Sequence, residues 1–323
     1  MPDAGQHHVV VGAGGIGRGI AERLAAAGHR VRLVSRSGRS PEGLPAGLSG
    51  LVEPAALDLL APDAGERLAT LTSGAASLVN AANPTSYGAW ERQWPVMHAA
   101  LLHAAERSGA GLVTVGNLYP YGRPAGPMTE DTPQRPCSVK GEIRARTWDE
   151  ALAAHEAGRL RATELRASDY LGPGAGKGVS FAGEFVVAPA VAGRPVRNLL
   201  GRTDVPHSWT YLPDIAELGA SLAMRGEDEV WGRVWHVPTA PPRTIAELAQ
   251  DAARLARAPA ARVGTMPGKP LLMRLVPTLR AAREMEYQFE MPFEIAAPRT
   301  EEVLGLRATP WEQVLRGTVA GLS

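Results

Sequence analysis

Two short stretches hold residue types whose spacing could do chemistry. The first, VVVGAGGIGRG, places Gly12, Gly14 and Gly17 in a GxGxxG pattern, directly after an apolar run and at the start of a helical one. Gly12 permits a tight turn. Gly14 lets the backbone approach a pyrophosphate, whose charge sits at the helix N-terminus, and Gly17 lets the helix pack closely on the strand. Gly15, Ile16 and Arg18 complete this candidate cofactor turn. The second stretch, CSVKGEIRART, places Lys140 and Arg144 four residues apart, on one face of a helix. Two adjacent cations disfavour each other's charged form, and the lysine yields because a guanidinium cannot. A lysine so placed is a candidate general acid or base. The bland alternative is a pair of solvated side chains.

Other residues take their meaning from strand ends. An NAD binder usually carries an acid at the end of its second strand, to meet the ribose 2′-hydroxyl. Here that place holds Ser35, Arg36 and Ser37. An arginine between two hydroxyls suits a 2′-phosphate, so NADP(H) is expected in preference to NAD(H). Asp58 and Leu59 fall where a third strand would end beside an adenine. Asn80, Ala81 and Ala82 end a fourth strand along the expected cofactor path.

The elements that must position these residues alternate. Strands are expected at 8–11, 31–34, 50–52, 76–81, 112–115 and 162–166, with helices at 16–27, 90–108 and 139–157. Alternation of this kind makes right-handed βαβ units and a parallel, doubly wound Rossmann-type sheet. Residues 1–170 are expected to form an NADP(H)-binding domain. Residues 171–323 are expected to form mainly a smaller substrate-binding lobe, with some segments returning to the main sheet. In that lobe Asp214 is a candidate N-cap, and a helix is expected over 245–257. His207, Trp209 and Tyr211 alternate, so they share one face of an expected strand, either lining a pocket or packed.

Composition narrows the class. Of 323 residues, 45% are hydrophobic and 21% charged, with a net charge of +1, which fits a globular α/β protein. The basic residues are scattered, so neither nucleic acid nor an anionic membrane is an expected partner. A single cysteine, Cys137, excludes an internal disulfide framework and a multi-cysteine metal site. It fits a reducing, cytoplasmic setting. No metal cluster with ligand spacing is evident, no apolar run is long enough to span a bilayer, and no secretory leader is expected.

With these segments in order, the chain resembles the short-chain dehydrogenase/reductase superfamily, and within it an atypical form of the extended, NAD-dependent epimerase/dehydratase branch. VVVGAGGIG resembles the first strand and glycine turn, VTVGNLYPYG the fifth-strand segment, and EDTPQRPCSVKGEIR the loop and helix that hold Tyr-x-x-x-Lys. LRASDYLGPG resembles the entry to the substrate lobe, and HSWTYLPDIA a later helix start. The resemblance sets Lys140 where the family has its tyrosine, Arg144 where it has its lysine, and Asn117 where it has a serine or threonine. The helix motif Lys-x-x-x-Arg is also similar to that of the isoflavone reductase group, in which a helix lysine is implicated in catalysis.

What the resemblance implies follows. Lys140 manages the proton near the nicotinamide, and Asn117 with Tyr121 or Tyr119 holds a substrate oxygen. Arg144 holds the cofactor ribose or a substrate anion. Ser168, Asp169 and Tyr170 begin the substrate contacts, with His207 and Trp209 further along. The leading expectation is an NADP(H)-dependent oxidoreductase acting on a carbonyl, imine or activated alkene of a small molecule. An epimerase or dehydratase using its cofactor transiently is the second. A cofactor-binding sensor or scaffold without turnover is the third. A homodimer through the helices at 90–108 and 139–157 would follow family habit.

Overall fold

In a computed structural model, residues 5–40, 44–174, 180–199, 201–226 and 228–322 are described. The first half runs β1 (His7–Val11), α1 (Gly15–Ala26), β2 (Arg30–Ser35), β3 (Val52–Ala56), α2 (Ala64–Thr72), β4 (Ser77–Asn80), α3 (Trp90–Ser108), β5 (Gly111–Asn117), α4 (Val139–Glu156) and β6 (Ala162–Ala167). The second half adds β7 (Tyr170–Leu171), α5 (Ala188–Val191), β8 (Val196–Asn198), β9 (Thr210–Tyr211), α6 (Leu212–Ala223), β10 (Val234–His236), α7 (Ile245–Leu255), β11 (Val263–Thr265), α8 (Lys269–Leu275), α9 (Pro277–Ala282), α10 (Pro298–Val303) and α11 (Trp311–Ala320). The Gly-rich loop entered at Gly172-Pro173-Gly174 runs on into 175–179, outside the described residues.

Seven strands form one parallel sheet in the order β10-β6-β5-β4-β1-β2-β3. This is a Rossmann-type α/β fold. The order reverses between β1 and β4, which opens a crevice at the carboxyl ends of the strands. The central strands are apolar on both faces because helices cover both. On one face Ile20 and Leu24 of α1 meet Ile215, Leu218 and Leu222 of α6 and Trp235 of β10. On the other, Leu68 of α2 meets Met97, Leu101 and Ala104 of α3 and Ala154 of α4. A further core gathers Leu171, Val186, Trp209, Leu248 and Val314 from the second half of the chain. In the main sheet β10, from the second half of the chain, pairs with β6.

Several elements differ from expectation, each for a local reason. The third strand lies at Val52–Ala56 rather than 50–52. It contains Pro54, which is tolerated because β3 is the outer strand and needs no amide there. Asp214 is not an N-cap: Tyr211 takes that place, and the Asp214 carboxylate accepts from the Thr309 amide at 3.0 Å and its hydroxyl at 2.6 Å. The helix expected over 245–257 ends at Leu255, and Arg257 adopts φ 54°. Its start is fixed by a reciprocal cap between Thr244 and Glu247. The strand expected to carry His207 and Trp209 is regular only at Thr210–Tyr211.

Candidate active site

The site begins where β1 turns into α1. Gly12 sits at φ 105°, and a Cβ there would come within 2.7 Å of the Ala81 backbone. A Cβ on Gly17 would lie 1.8 Å from the Gly12 carbonyl. The turn is therefore clamped between its own helix and the end of β4, and only glycine fits. Gly14 differs. It is the N-cap of α1, has no side-chain cap, and a Cβ there would meet nothing within 4 Å. The first turn of α1 has no acid. Open space in front of unpaired helix amides fits an anion such as a dinucleotide pyrophosphate.

Beyond β2 the chain reads SRSGRS over 35–40, without an acid. Ser35 Oγ accepts from the Gly38 amide at 3.1 Å and lies 3.5 Å from Ser37 Oγ, which fixes this turn. Arg36 and Ser37 are exposed. Arg18 pairs with Glu22 at 2.7 Å along α1. Asp58 is exposed and its carboxylate accepts from the Leu60 amide, while Leu59 is packed into the core beneath α2 and α3. Asn80 is buried, with Oδ1 bound to the Ala82 amide and Nδ2 without a partner among the described residues.

A cavity of about 540 Å³ opens at the carboxyl ends of the strands. That size suits a small-molecule site. Ile16, Ala81 and Ala82 border it on the glycine-turn side. Asn117 and Tyr119 border it at the end of β5, Arg144 from α4, and Ser168, Asp169 and Tyr170 after β6. The Asn117 side-chain oxygen accepts from the Tyr119 amide at 3.2 Å, which bends the chain so that Tyr119 faces the cavity. The Tyr119 hydroxyl lies 2.7 Å from that of Tyr87, which also borders the space. Burial pushes both phenols well above their ordinary range, so both stay protonated.

The pair Lys140 and Arg144 is split. Both are buried, yet only Arg144 borders the cavity. Its guanidinium lies 4.3 Å from the Trp94 ring centre and 5.4 Å from that of Trp90. One nitrogen reaches Asn83 Oδ1 at 3.4 Å, and Nε and Nη1 have no acceptor among the described residues. Burial lowers its pKa from the usual arginine value. Lys140 turns the other way. Its ammonium donates to the Ala281 carbonyl at 2.8 Å and to the Glu284 carboxylate, and lies 5.1 Å from the Tyr87 ring centre. The cation-beside-cation setting expected for Lys140 is thus replaced by an ion pair.

The remaining residues are distributed as follows. Tyr121 does not border the cavity. Its hydroxyl donates to His236 Nε2 at 2.7 Å, since His236 Nδ1 is held by the Ala296 carbonyl at 2.8 Å. Arg166 covers the Tyr121 ring and forms a fully buried pair with Glu164 at 2.6 Å. His207 and Trp209 are buried behind the wall. His207 stacks on Phe289 and donates to Asp169 at 2.9 Å, so it steadies a cavity carboxylate from outside. Trp209 donates to the Arg243 carbonyl. Cys137 is exposed, and partial desolvation raises its thiol pKa. Sequence reasoning does not single out Tyr87, Trp90 or Gln288, which border the cavity from other parts of the chain. Trp90 and Trp94 had one signal, an i,i+4 aromatic pair on a helix. Among the described residues no cluster of His, Cys, Asp or Glu could hold a metal, and no helix is long and apolar enough to cross a membrane.

Comparison with known proteins agrees with the architecture. UDP-glucose 4-epimerase from Thermotoga maritima superposes with a TM-score of 0.75 at 16% identity, covering 98% of each chain. The dTDP-glucose 4,6-dehydratase of Bacillus anthracis, solved in complex with NAD, gives 0.74 at 17% identity, over 98% of this chain and 96% of that one. An epimerase from Methanothermobacter thermautotrophicus gives 0.79 at 15% identity, over 98% and 92%. At these identities the likeness is one of fold. No curated protein sequence matches the chain. The model of the NAD dependent epimerase/dehydratase family matches residues 8–237. With most of its length matched, from β1 through β10, the chain belongs to the NAD-dependent epimerase/dehydratase family.

Proposed function

We propose that the chain is an NADP(H)-dependent oxidoreductase, moving a hydride to or from a carbonyl, imine or activated alkene carbon of a small molecule. One observation carries this reading: Ile16 of the glycine turn borders the same cavity as Asn117, Tyr119 and Arg144. The open N-terminus of α1 suits the pyrophosphate, and the acid-free SRSGRS turn suits a 2′-phosphate. The nicotinamide, when bound, supplies or takes up the hydride.

The chain's own residues handle the oxygen and the proton. In the reducing direction the substrate carbon gains a hydride and its oxygen gains a proton. Tyr119 donates that proton, and solvent returns it through the partly exposed Tyr87, to whose hydroxyl Tyr119 is hydrogen-bonded. Arg144 opposes the negative charge that builds on the oxygen, at a place where its guanidinium has little else to neutralise it. Asn117 spends its side-chain oxygen on the backbone and offers its amide nitrogen as a donor. Ser168, Asp169 and Tyr170 form the substrate wall. A cytoplasmic setting and a homodimer through α3 and α4 belong to the same proposal.

A second reading, an epimerase or dehydratase that returns its cofactor unchanged, is supported by the family match. One experiment separates the two. The purified protein is given NADPH or NADH with a panel of aldehydes, ketones and imines, and with sugar nucleotides. The reductase reading expects net NADPH consumption that collapses in Tyr119→Phe. Product without net cofactor consumption selects the epimerase, and bound cofactor without turnover of any substrate selects a sensor.

A further inference from the structure

We infer that Lys140 is a positioning residue, whose ammonium pins the segment Ala281–Glu284 as a roof over the active-site cavity and braces Tyr87 beneath it. The roof comes from α9 and the turn that follows. Leu279, Ala282 and Gln288 supply its cavity face. Its upstream part has little apolar anchorage, whereas Met285, Tyr287 and Phe289 fix its downstream end in the core. No described residue of α9 is buried, and in α8 only Met273 is, while Leu271 and Leu275 are 60% and 66% exposed. The stretch from α8 to Glu284 is therefore kept in place by its polar contacts, and it opens first when they are lost.

Those contacts converge on the start of α4. Glu284 accepts from the Val139 amide at 2.7 Å and from the Lys140 ammonium. The carboxylate therefore meets both the positive end of the helix and a cation. The same ammonium donates to the Ala281 carbonyl, one turn earlier in the roof. It also lies over the Tyr87 ring, whose hydroxyl carries the bond to Tyr119. A solvated surface lysine would make none of these bonds, and Lys140 is only 5% exposed. Lys269 and Glu286, 3.0 Å apart, tie α8 to the same segment. The pin acts whatever reaction the cavity hosts.

The test is amide hydrogen exchange on the full chain without substrate or cofactor, so it stands or falls apart from any activity. In Lys140→Met, amides over 279–284 should exchange about tenfold faster, while those of β1, α1 and β5 keep their wild-type protection. Lys140→Arg keeps the charge and should hold the roof near its wild-type protection. Glu284→Gln keeps an acceptor for Val139 but loses the ion pair, and should loosen the same segment; it serves also if Lys140→Met does not fold. Unchanged exchange over 279–284 in Glu284→Gln, or a loss of protection spread equally over every helix, overturns the assignment. So does equal loosening in the Arg and Met variants.

Discussion

The hydroxyls of Tyr87 and Tyr119 meet at 2.7 Å on the cavity wall, joining a turn after β4 to a turn after β5. Neither lies on α4, the helix that carries Lys140 and Arg144. No tyrosine in this chain is followed four residues later by a lysine. If Tyr119 carries the proton, Tyr119→Phe should lower kcat by about a hundredfold or more, with cofactor affinity unchanged. Tyr87→Phe should cost less, since Tyr119 keeps its own hydroxyl. Steady-state kinetics with the best substrate of the panel decides it; wild-type kcat in Tyr119→Phe removes Tyr119 from the mechanism.

Arg144 predicts a split between function and stability. It is a buried cation with no carboxylate of the described residues in salt-bridge range, held chiefly by Trp90 and Trp94. Replacing such a charge with an apolar side chain of similar volume is often neutral for folding. Arg144→Met should therefore leave the thermal midpoint within about 3 °C of wild type. The same variant should lose about a hundredfold in kcat/KM, as expected when a charge opposing a developing oxyanion is removed. A large drop in midpoint with kcat/KM intact would recast Arg144 as structural.

The proposed preference for NADP(H) rests on the turn after β2. Arg36→Ala should weaken NADPH binding by about tenfold, the scale of one charge-assisted contact, and leave NADH binding nearly unchanged. Fluorescence titration of both cofactors reads the difference. Equal weakening of the two would mean that Arg36 contacts a part they share.

Acid should unfold this protein through its histidines. His8 and His98 are lowered from 6.5 to about 4, and His236 to about 3, in each case chiefly by burial. The folded state thus takes up these protons only near pH 4 or below, whereas the unfolded chain takes them up near 6.5. Below about pH 6.5 the unfolded state binds more protons, so stability falls as pH falls. Each histidine contributes a slope of up to about 1.4 kcal/mol per pH unit. Denaturant unfolding at pH 7.5, 6.5 and 5.5 checks this, and a flat profile contradicts it.

Local chemistry made the first half of the fold legible. The glycine turn sits between two apolar strands, and its demands act over a few residues, so β1, α1 and β2 fall close to where spacing puts them. The third strand was harder because VEPAA lacks a strong apolar alternation and carries Pro54. At the site, Asn117, Tyr119, Arg144 and the run from Ser168 to Tyr170 are near in sequence to strand or helix ends that the fold brings together. The direction taken by Lys140 was not legible. Both it and Arg144 satisfy the same i,i+4 rule, and only the arrival of Glu284, 144 residues later, separates them. Nor was the partnership of Tyr87, which depends on a turn with no regular period.

That distance has a consequence for how the protein is made. On the ribosome, β1 to β6 emerge first, and the cavity wall with Tyr119, Arg144 and Asp169 is complete in sequence before residues 277–289 have been synthesised. Domains fold as their segments appear, N-terminal parts first. For that interval the nascent chain holds Lys140 without its carboxylate and an apolar hollow without its cover. A chaperone, or early cofactor, would find its substrate there.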